Sequence, residues 1–329
     1  MGIASDYLGR VKTLALSILL YSCFTGLAAQ TESMGAFAIY RFVAGMGVGG
    51  SMLGISIFIA ESWTTSSRAV ALAALVTSYQ VGVLFSGVIS HIFPDWRMAF
   101  AAGSIPMVLA FAVLKTFHEP AAWKNMQTTS PEHEEKSGWN HLFMGGMIFG
   151  SLLIGYWASL SWIPSWIQNL LGDYASGHEK SLATVIHGLC AIAGCLAAGP
   201  LADAFGRRPV ILFSFAGALI DSLWMFLGHD TFSNSLYAYH GLLGFFIGMA
   251  QAGMYIYLPE LFSTNIRATC VGICLNGGRL VTAVAILFMG AIVSWFQGYS
   301  EALSLFSMVY LIGIGFTLFA PETKLKVLN

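Results

Sequence analysis

Long apolar runs separated by short polar punctuation make up most of the chain. Ten runs stand out: Thr13–Ala29, Gly35–Ala60, Val70–Phe93, Met98–Leu114, Leu142–Gln168, Leu182–Ala202, Pro209–Gly228, Leu236–Leu258, Ala268–Ser294 and Ala302–Ala320. Each ends at a charge, a proline or a polar turn. Each is close to the roughly 20 residues an α-helix needs to cross about 30 Å of hydrocarbon. Backbone groups in lipid must bond within their own segment or in a closed barrel. Barrel strands would show ten-residue alternation, which these runs lack. The pattern predicts an all-α membrane protein with ten spans.

Composition sharpens that reading. Hydrophobic residues make up 57% of the 329 positions and charged residues only 9%, against about 25% charged in a soluble domain. The net charge of −1 supplies no basic field for nucleic acid. The five cysteines, Cys23, Cys190, Cys195, Cys270 and Cys274, are odd in number and all lie in expected spans, so they read as packing groups rather than a disulfide framework. His187, Cys190 and Cys195 share a helix without metal-ligand spacing, and neither a metal nor a cofactor is expected. No nucleophile motif or intramembrane carboxylate pair suggests an enzyme.

The charges between the spans repeat. GIASDYLGRVK opens the chain with Asp6 and Arg10, and GPLADAFGRRP returns with Asp203 and Arg207, 197 residues later. ESWTTSSRA and ELFSTNIRA place Glu61–Arg68 and Glu260–Arg267 at an offset of 199, as do Gly45 and Gly49 with Gly244 and Gly248. Four matched features at nearly one offset mark an internal repeat. The expected division is an N-terminal bundle over 1–117, a polar linker over 118–141 and a six-helix bundle over 142–329. The glycine pairs read as close helix-packing sites. If the first motif is cytoplasmic, Arg10, Lys12, Arg68, Lys115, Lys124, Lys136, Arg207, Arg208, Arg267, Lys324 and Lys326 fall inside, and only Arg97 and Lys180 fall outside. That is the positive-inside asymmetry, with both termini cytoplasmic.

These motifs resemble the major facilitator superfamily. The repeated G-x3-D-x-x-G-R-[KR] loop is similar to the family's signature. RFVAGMGVGG, with Arg41, resembles its fourth-helix motif. PETK at Pro321–Lys324, with HEPAAW in the matching place after the first bundle, resembles the ends of sugar porters, metabolite–proton symporters and sialate transporters. The resemblance implies parallel repeats about an axis along the membrane normal and twelve helices, of which this chain would supply four plus six. The first two helices are expected to be missing, whether from an incomplete product, a truncated gene or a start set too late.

The resemblance implies a secondary transporter of a small organic solute, working as a monomer by proton-coupled alternating access in the plasma or inner membrane. Asp6, Arg10, Glu61, Arg68, Asp203, Arg207, Glu260 and Arg267 would form a cytoplasmic charge gate. Ionisable residues within spans are costly and usually functional. Arg279, near mid-span beside Asn276 and 199 residues after Gln80, offers a guanidinium fork to a carboxylate. Tyr156, Trp157 and Tyr255 are candidate walls of the substrate path. Arg41 and His187 are candidates for proton coupling. Asp221 reads as structural, with Arg279 as a possible mate. Trp162 and Trp166 are expected in the interfacial belt. No Gln-Gln pair marks the seventh helix of the full pattern, so a sugar acid, aromatic acid or dicarboxylate is favoured over a neutral sugar. A neutral-sugar transporter and a transport-inactive remnant or membrane interaction protein stay open as alternatives.

Overall fold

The computed structural model describes residues 2–63, 67–92, 95–120, 138–172, 177–229, 231–263, 266–296 and 298–324. Their helices are α1 (Gly2–Leu8), α2 (Arg10–Ala28), α3 (Met34–Ser62), α4 (Arg68–Ile92), α5 (Trp96–Ala102), α6 (Met107–Thr116), α7 (Gly138–Leu171), α8 (Gly177–Phe205), α9 (Arg207–Leu227), α10 (Ser235–Leu261), α11 (Arg267–Phe296), α12 (Tyr299–Ser307) and α13 (Val309–Phe319). Among the described residues, nine helical spans are long and apolar enough to cross a membrane. The 25-residue α4 occupies the place of the remaining expected span.

Two expected spans are each built from two helices. Pro106 has no N–H and its ring opposes the carbonyl four residues back. The chain therefore tightens between α5 and α6, where Ser104 N–H donates to Ala101 O at 3.0 Å and Ile105 N–H to Ala102 O at 3.1 Å, a 3₁₀ pattern. A similar turn at Met308 joins α12 to α13. The helices also run beyond the apolar runs. Asp203 lies inside α8, and Pro200 is accommodated in the same helix. The polar linker falls mostly on 121–137, outside the described residues.

The repeated motif is a helix, one glycine and another helix. Gly9 (φ 109°, ψ 156°) and Gly206 (φ 104°, ψ 165°) are the single residues between α1 and α2 and between α8 and α9. This backbone region is essentially restricted to glycine. A Cβ on Gly206 would also lie 2.7 Å from Glu322 Oε2, and one on Gly9 would strike Glu119.

α10 is the most enclosed helix, packed by α8, α9 and α4. Hydrocarbon tails are as apolar as leucine, so close van der Waals packing rather than water exclusion holds such helices together. Gly194 on α8 meets the Phe245 carbonyl, and Gly244 and Gly248 on α10 meet the backbones of His187 and Ala191. The packing expected of Gly244 and Gly248 is thus present. In the first repeat the close approach is made by Gly47, where a Cβ would lie 2.7 Å from Ser17 O on α2. Gly45 has no neighbour within 4 Å, and Gly49 faces α11. Two seams join the repeats: α4 against α8 and α10, and α1 with α3 against α11.

Candidate functional site

One end of the bundle gathers the motif charges. Starting α9 directly after Gly206 points Arg207 into the protein, where its Nε and Nη2 donate to Glu260 Oε2 and Oε1, both at 3.0 Å. Its Nη1 reaches Ala202 O at 3.0 Å and Asp203 Oδ1 at 3.2 Å. The first repeat matches this: Arg10 Nε and Nη2 donate to Glu61 Oε2 at 3.1 Å and Oε1 at 3.0 Å, and Nη1 to Ser5 O at 2.9 Å. The side chains of Arg10 and Glu61 are fully buried. The Asp6 side chain lies outside the described residues.

The loop arginines cross over between repeats. Arg68 Nη2 bonds Glu260 Oε1 at 3.2 Å, and Arg267 Nη1 bonds Glu61 Oε1 at 3.4 Å. Each glutamate therefore holds a bidentate arginine of its own repeat and one arginine of the other. Arg267 is also fixed by its Nε to Pro259 O at 3.0 Å and Phe262 O at 3.3 Å.

Two further carboxylates cap the helices that begin at the motif arginines. Glu119 accepts the N–H groups of Arg10 at 2.7 Å and Val11 at 3.1 Å. Glu322 accepts those of Arg207 at 2.9 Å and Arg208 at 3.0 Å. Each satisfies orphan donors and complements the positive end of a helix dipole. Thr323 Oγ1 donates to Glu260 Oε2 at 2.6 Å, tying the PETK segment to the charge cluster.

A second polar group lies about 18 Å along α11, twelve residues from Arg267 at 1.5 Å per residue. Arg279 Nη1 donates to Asn276 Oδ1 at 2.9 Å and Nη2 to Tyr255 OH at 3.3 Å. Both partners are neutral, and among the described residues Arg279 has no carboxylate partner. Tyr79 lies within its electrostatic reach, and Phe149 meets Tyr255 edge-on at 6.1 Å. Gly49 leaves room for the group: a Cβ there would be 2.7 Å from Asn276 Oδ1 and 3.4 Å from Arg279 Nη1.

Gln80 is buried. Its Nε2 donates to Gln251 Oε1 at 3.0 Å, and its side chain bonds Tyr156. The half-buried Trp157 packs edge-on to Tyr156 at 5.3 Å. His187 is buried beside His240, their ring centroids 4.5 Å apart. Arg41 is exposed, with its guanidinium 5.1 Å from the Phe100 ring centroid. Asp221 is not Arg279's mate: it lines a crevice of about 580 Å³ between α9 and α10, with Phe213, Trp224 and Tyr239. Trp166, near the end of α7, is buried in the bundle rather than facing lipid, and its Nε1 donates to Ser300 Oγ at 3.1 Å. Trp162 packs on Tyr299 at 6.2 Å.

The family model described as Major Facilitator Superfamily matches residues 1–174 and 167–328. The chain belongs to the major facilitator superfamily. It is 29% identical over 349 residues to a putative metabolite transport protein of Haemophilus influenzae, covering 100% of this chain and 84% of that protein. It is 29% identical over 309 residues to the cis,cis-muconate transport protein of Acinetobacter baylyi, covering 89% and 74%. It is 24% identical over 343 residues to the sialic acid transporter NanX of Escherichia coli, covering 99% and 82%. The solved structure of the proton:xylose symporter XylE superposes with a TM-score of 0.86 at 19% identity, covering 99% of this chain and 83% of that one; this likeness concerns the fold.

The protein is thus a multi-pass integral membrane protein of a transporter family, a secondary transporter and not an enzyme. The sequence identified the arginines and glutamates of the charge cluster but not which of them pair, nor the caps Glu119 and Glu322, nor Tyr79, Gln251 and His240. The caps had a visible signal: each follows the last span of its repeat, beside a proline, in HEPAAW and in PETK.

Proposed function

We propose that this protein carries a small planar organic acid across the cell membrane, as a proton-coupled monomer working by alternating access. Bundles over 1–117 and 142–329, joined by the 118–141 linker, rock about a site formed by Arg279, Asn276, Tyr255, Gln80, Tyr156 and Trp157. The observation that carries the reading is the Arg279 fork, partly buried and held, among the described residues, only by neutral groups. A guanidinium within a span lacks its counter-charge, and a substrate carboxylate supplies one with bidentate geometry. The aromatic rings of Tyr79, Phe149 and Tyr255 around the fork suit a flat, conjugated acid. Relatives named for transport of cis,cis-muconate, gentisate and benzoate support the same class. The crossed Arg68–Glu260 and Arg267–Glu61 pairs act as the gate at the charged end, with Arg10, Arg207, Asp6 and Asp203 setting the glutamates.

The test compares binding of benzoate and of neutral benzamide by the purified protein. Wild type should prefer benzoate. Arg279→Gln should weaken benzoate binding by about 1.5–3 kcal/mol, roughly ten- to a hundredfold, while leaving benzamide unchanged. Arg279→Lys, which keeps the charge without the fork, should fall between. Equal benzoate affinity in wild type and Arg279→Gln would make the arginine structural and remove the anion reading.

A further inference from the structure

We infer that the stacked imidazoles of His187 and His240 form a single-proton site, and that this site carries the coupling ion. The inference rests on the proton-coupled reading above and supplies its missing location.

His187 Nδ1 lies 3.3 Å from the His240 carbonyl oxygen. A carbonyl only accepts, so Nδ1 carries the hydrogen, and the lone pair of the neutral ring is on Nε2. Among the described residues, His187 Nε2 is buried with no hydrogen-bond partner, and so is His240 Nδ1. Unpartnered buried polar atoms call for an explanation, and here the vacant position on His187 is a proton acceptor.

The His187 ring is flanked by two aromatic rings: Tyr156 at 6.2 Å with an interplanar angle of 24°, and His240 at 4.5 Å with 31°. Of these two, the Tyr156 face attracts a cation. Two imidazolium ions 4.5 Å apart would repel strongly in a medium of low dielectric, so the pair holds at most one proton. A hydronium ion donates its proton to the Nε2 lone pair and leaves as water, and release reverses that transfer.

The helices packed on α8 bring few titratable groups to the pair. α7 presents Tyr156, α10 presents His240, and α4 presents Tyr79 near Tyr156. On α8 itself, Cys195 donates to Gly248 O at 3.2 Å and Cys190 lies against Gly241. Glu179 is near Tyr237, two turns away on α8. Asp221 on α9 lies near Tyr310 and lines the outer crevice. Among the described residues, neither imidazole pairs with a charged side chain. The link to the substrate runs through Tyr156, which stacks on His187 and also bonds Gln80 of the opposite repeat. A proton on His187 therefore bears on the contact that joins the two repeats beside Arg279.

The protein is reconstituted in liposomes, and benzoate counterflow is compared with benzoate accumulation driven by an imposed proton gradient. Glutamine at 187 can still donate to the His240 carbonyl but binds no proton. His187→Gln should therefore lower the ratio of accumulation to counterflow at least tenfold. An unchanged ratio overturns the proposal. Absence of benzoate counterflow in wild type would instead remove the substrate reading. A second measurement uses wild type alone: calorimetry of benzoate binding near neutral pH, in buffers of unlike ionisation enthalpy, counts protons taken up. A value approaching one supports the site, and zero overturns it whether or not His187→Gln folds.

Discussion

Arg68→Gln isolates the contact between repeats from the contacts within them. Arg68 is 3% exposed and makes one ion pair across the seam, Nη2 to Glu260 Oε1 at 3.2 Å. Its partner does not depend on it, since Glu260 also accepts two bonds from Arg207 and one from Thr323. Removing Arg68 therefore leaves no bare buried carboxylate, whereas Glu260→Gln would take the counter-charge from the buried Arg68 at a cost of about 3–5 kcal/mol, Arg207 keeping only Asp203. A charged hydrogen bond contributes about 1.5–3 kcal/mol net. The bond joins the two repeats, so separating their charged ends would break it. Its loss should shift the closed-to-open ratio by roughly ten- to a hundredfold. Spin labels replacing Lys12 on α2 and Phe205 on α8, both exposed at this end, report the separation. The Arg68→Gln distance distribution should move to longer values, with the melting temperature in detergent changed little. An unchanged distribution would refute the gate, because the same charges would then serve only to anchor their own repeats.

The remaining predictions concern the backbone. Gly206→Ala should lower stability by about 1–3 kcal/mol, since φ 104° with ψ 165° is strained for any side chain and the new methyl would press on the Glu322 cap; thermal unfolding in detergent checks it, and an unchanged melting temperature contradicts it. Gly194→Ala should cut the yield of folded protein, because its methyl would overlap the Phe245 carbonyl on α10 and force apart two closely packed helices; size-exclusion chromatography of the expressed protein measures this, and a wild-type yield counts against the close seam.

Hydropathy sufficed for the spans, though not for the breaks at Pro106 and Met308, because span length is set by the bilayer, and a run such as Pro209–Gly228 carries that length on its face. The charge cluster was legible for a different reason. The repeat doubled each motif, so Arg207 and Glu260 could be checked against Arg10 and Glu61. Pairing across the repeats was not legible, since nothing in the spacing of Glu61 and Arg68 distinguishes a bond to each other from a bond to the opposite repeat. The same holds for Trp166: a tryptophan near a span end reads as interfacial until Ser300 arrives from a helix 134 residues away. Gly45 was misread because G-x-x-x-G names a spacing and not a face. The structure uses Gly47 against α2 and Gly49 against Arg279.

The repeat also explains why only one side of the central group should take an anion. Gln80 and Arg279 occupy matched positions at the 199-residue offset, yet their partners differ in kind. Gln80 reaches across the seam and is engaged by Gln251 and Tyr156 of the second repeat, so its amide serves as an inter-repeat contact. Arg279 is engaged within its own repeat, by Asn276 and Tyr255, and among the described residues the first repeat answers it with the bare backbone of Gly49 and, at longer range, with Tyr79. A neutral amide pair can form and part at modest cost, which suits a surface that must separate in each cycle. The guanidinium keeps its charge throughout, and its neutral partners orient it without cancelling that charge. A carboxylate arriving beside Gly49 would meet an oriented fork in the second repeat while lying against the first, so one bound anion would touch both moving parts.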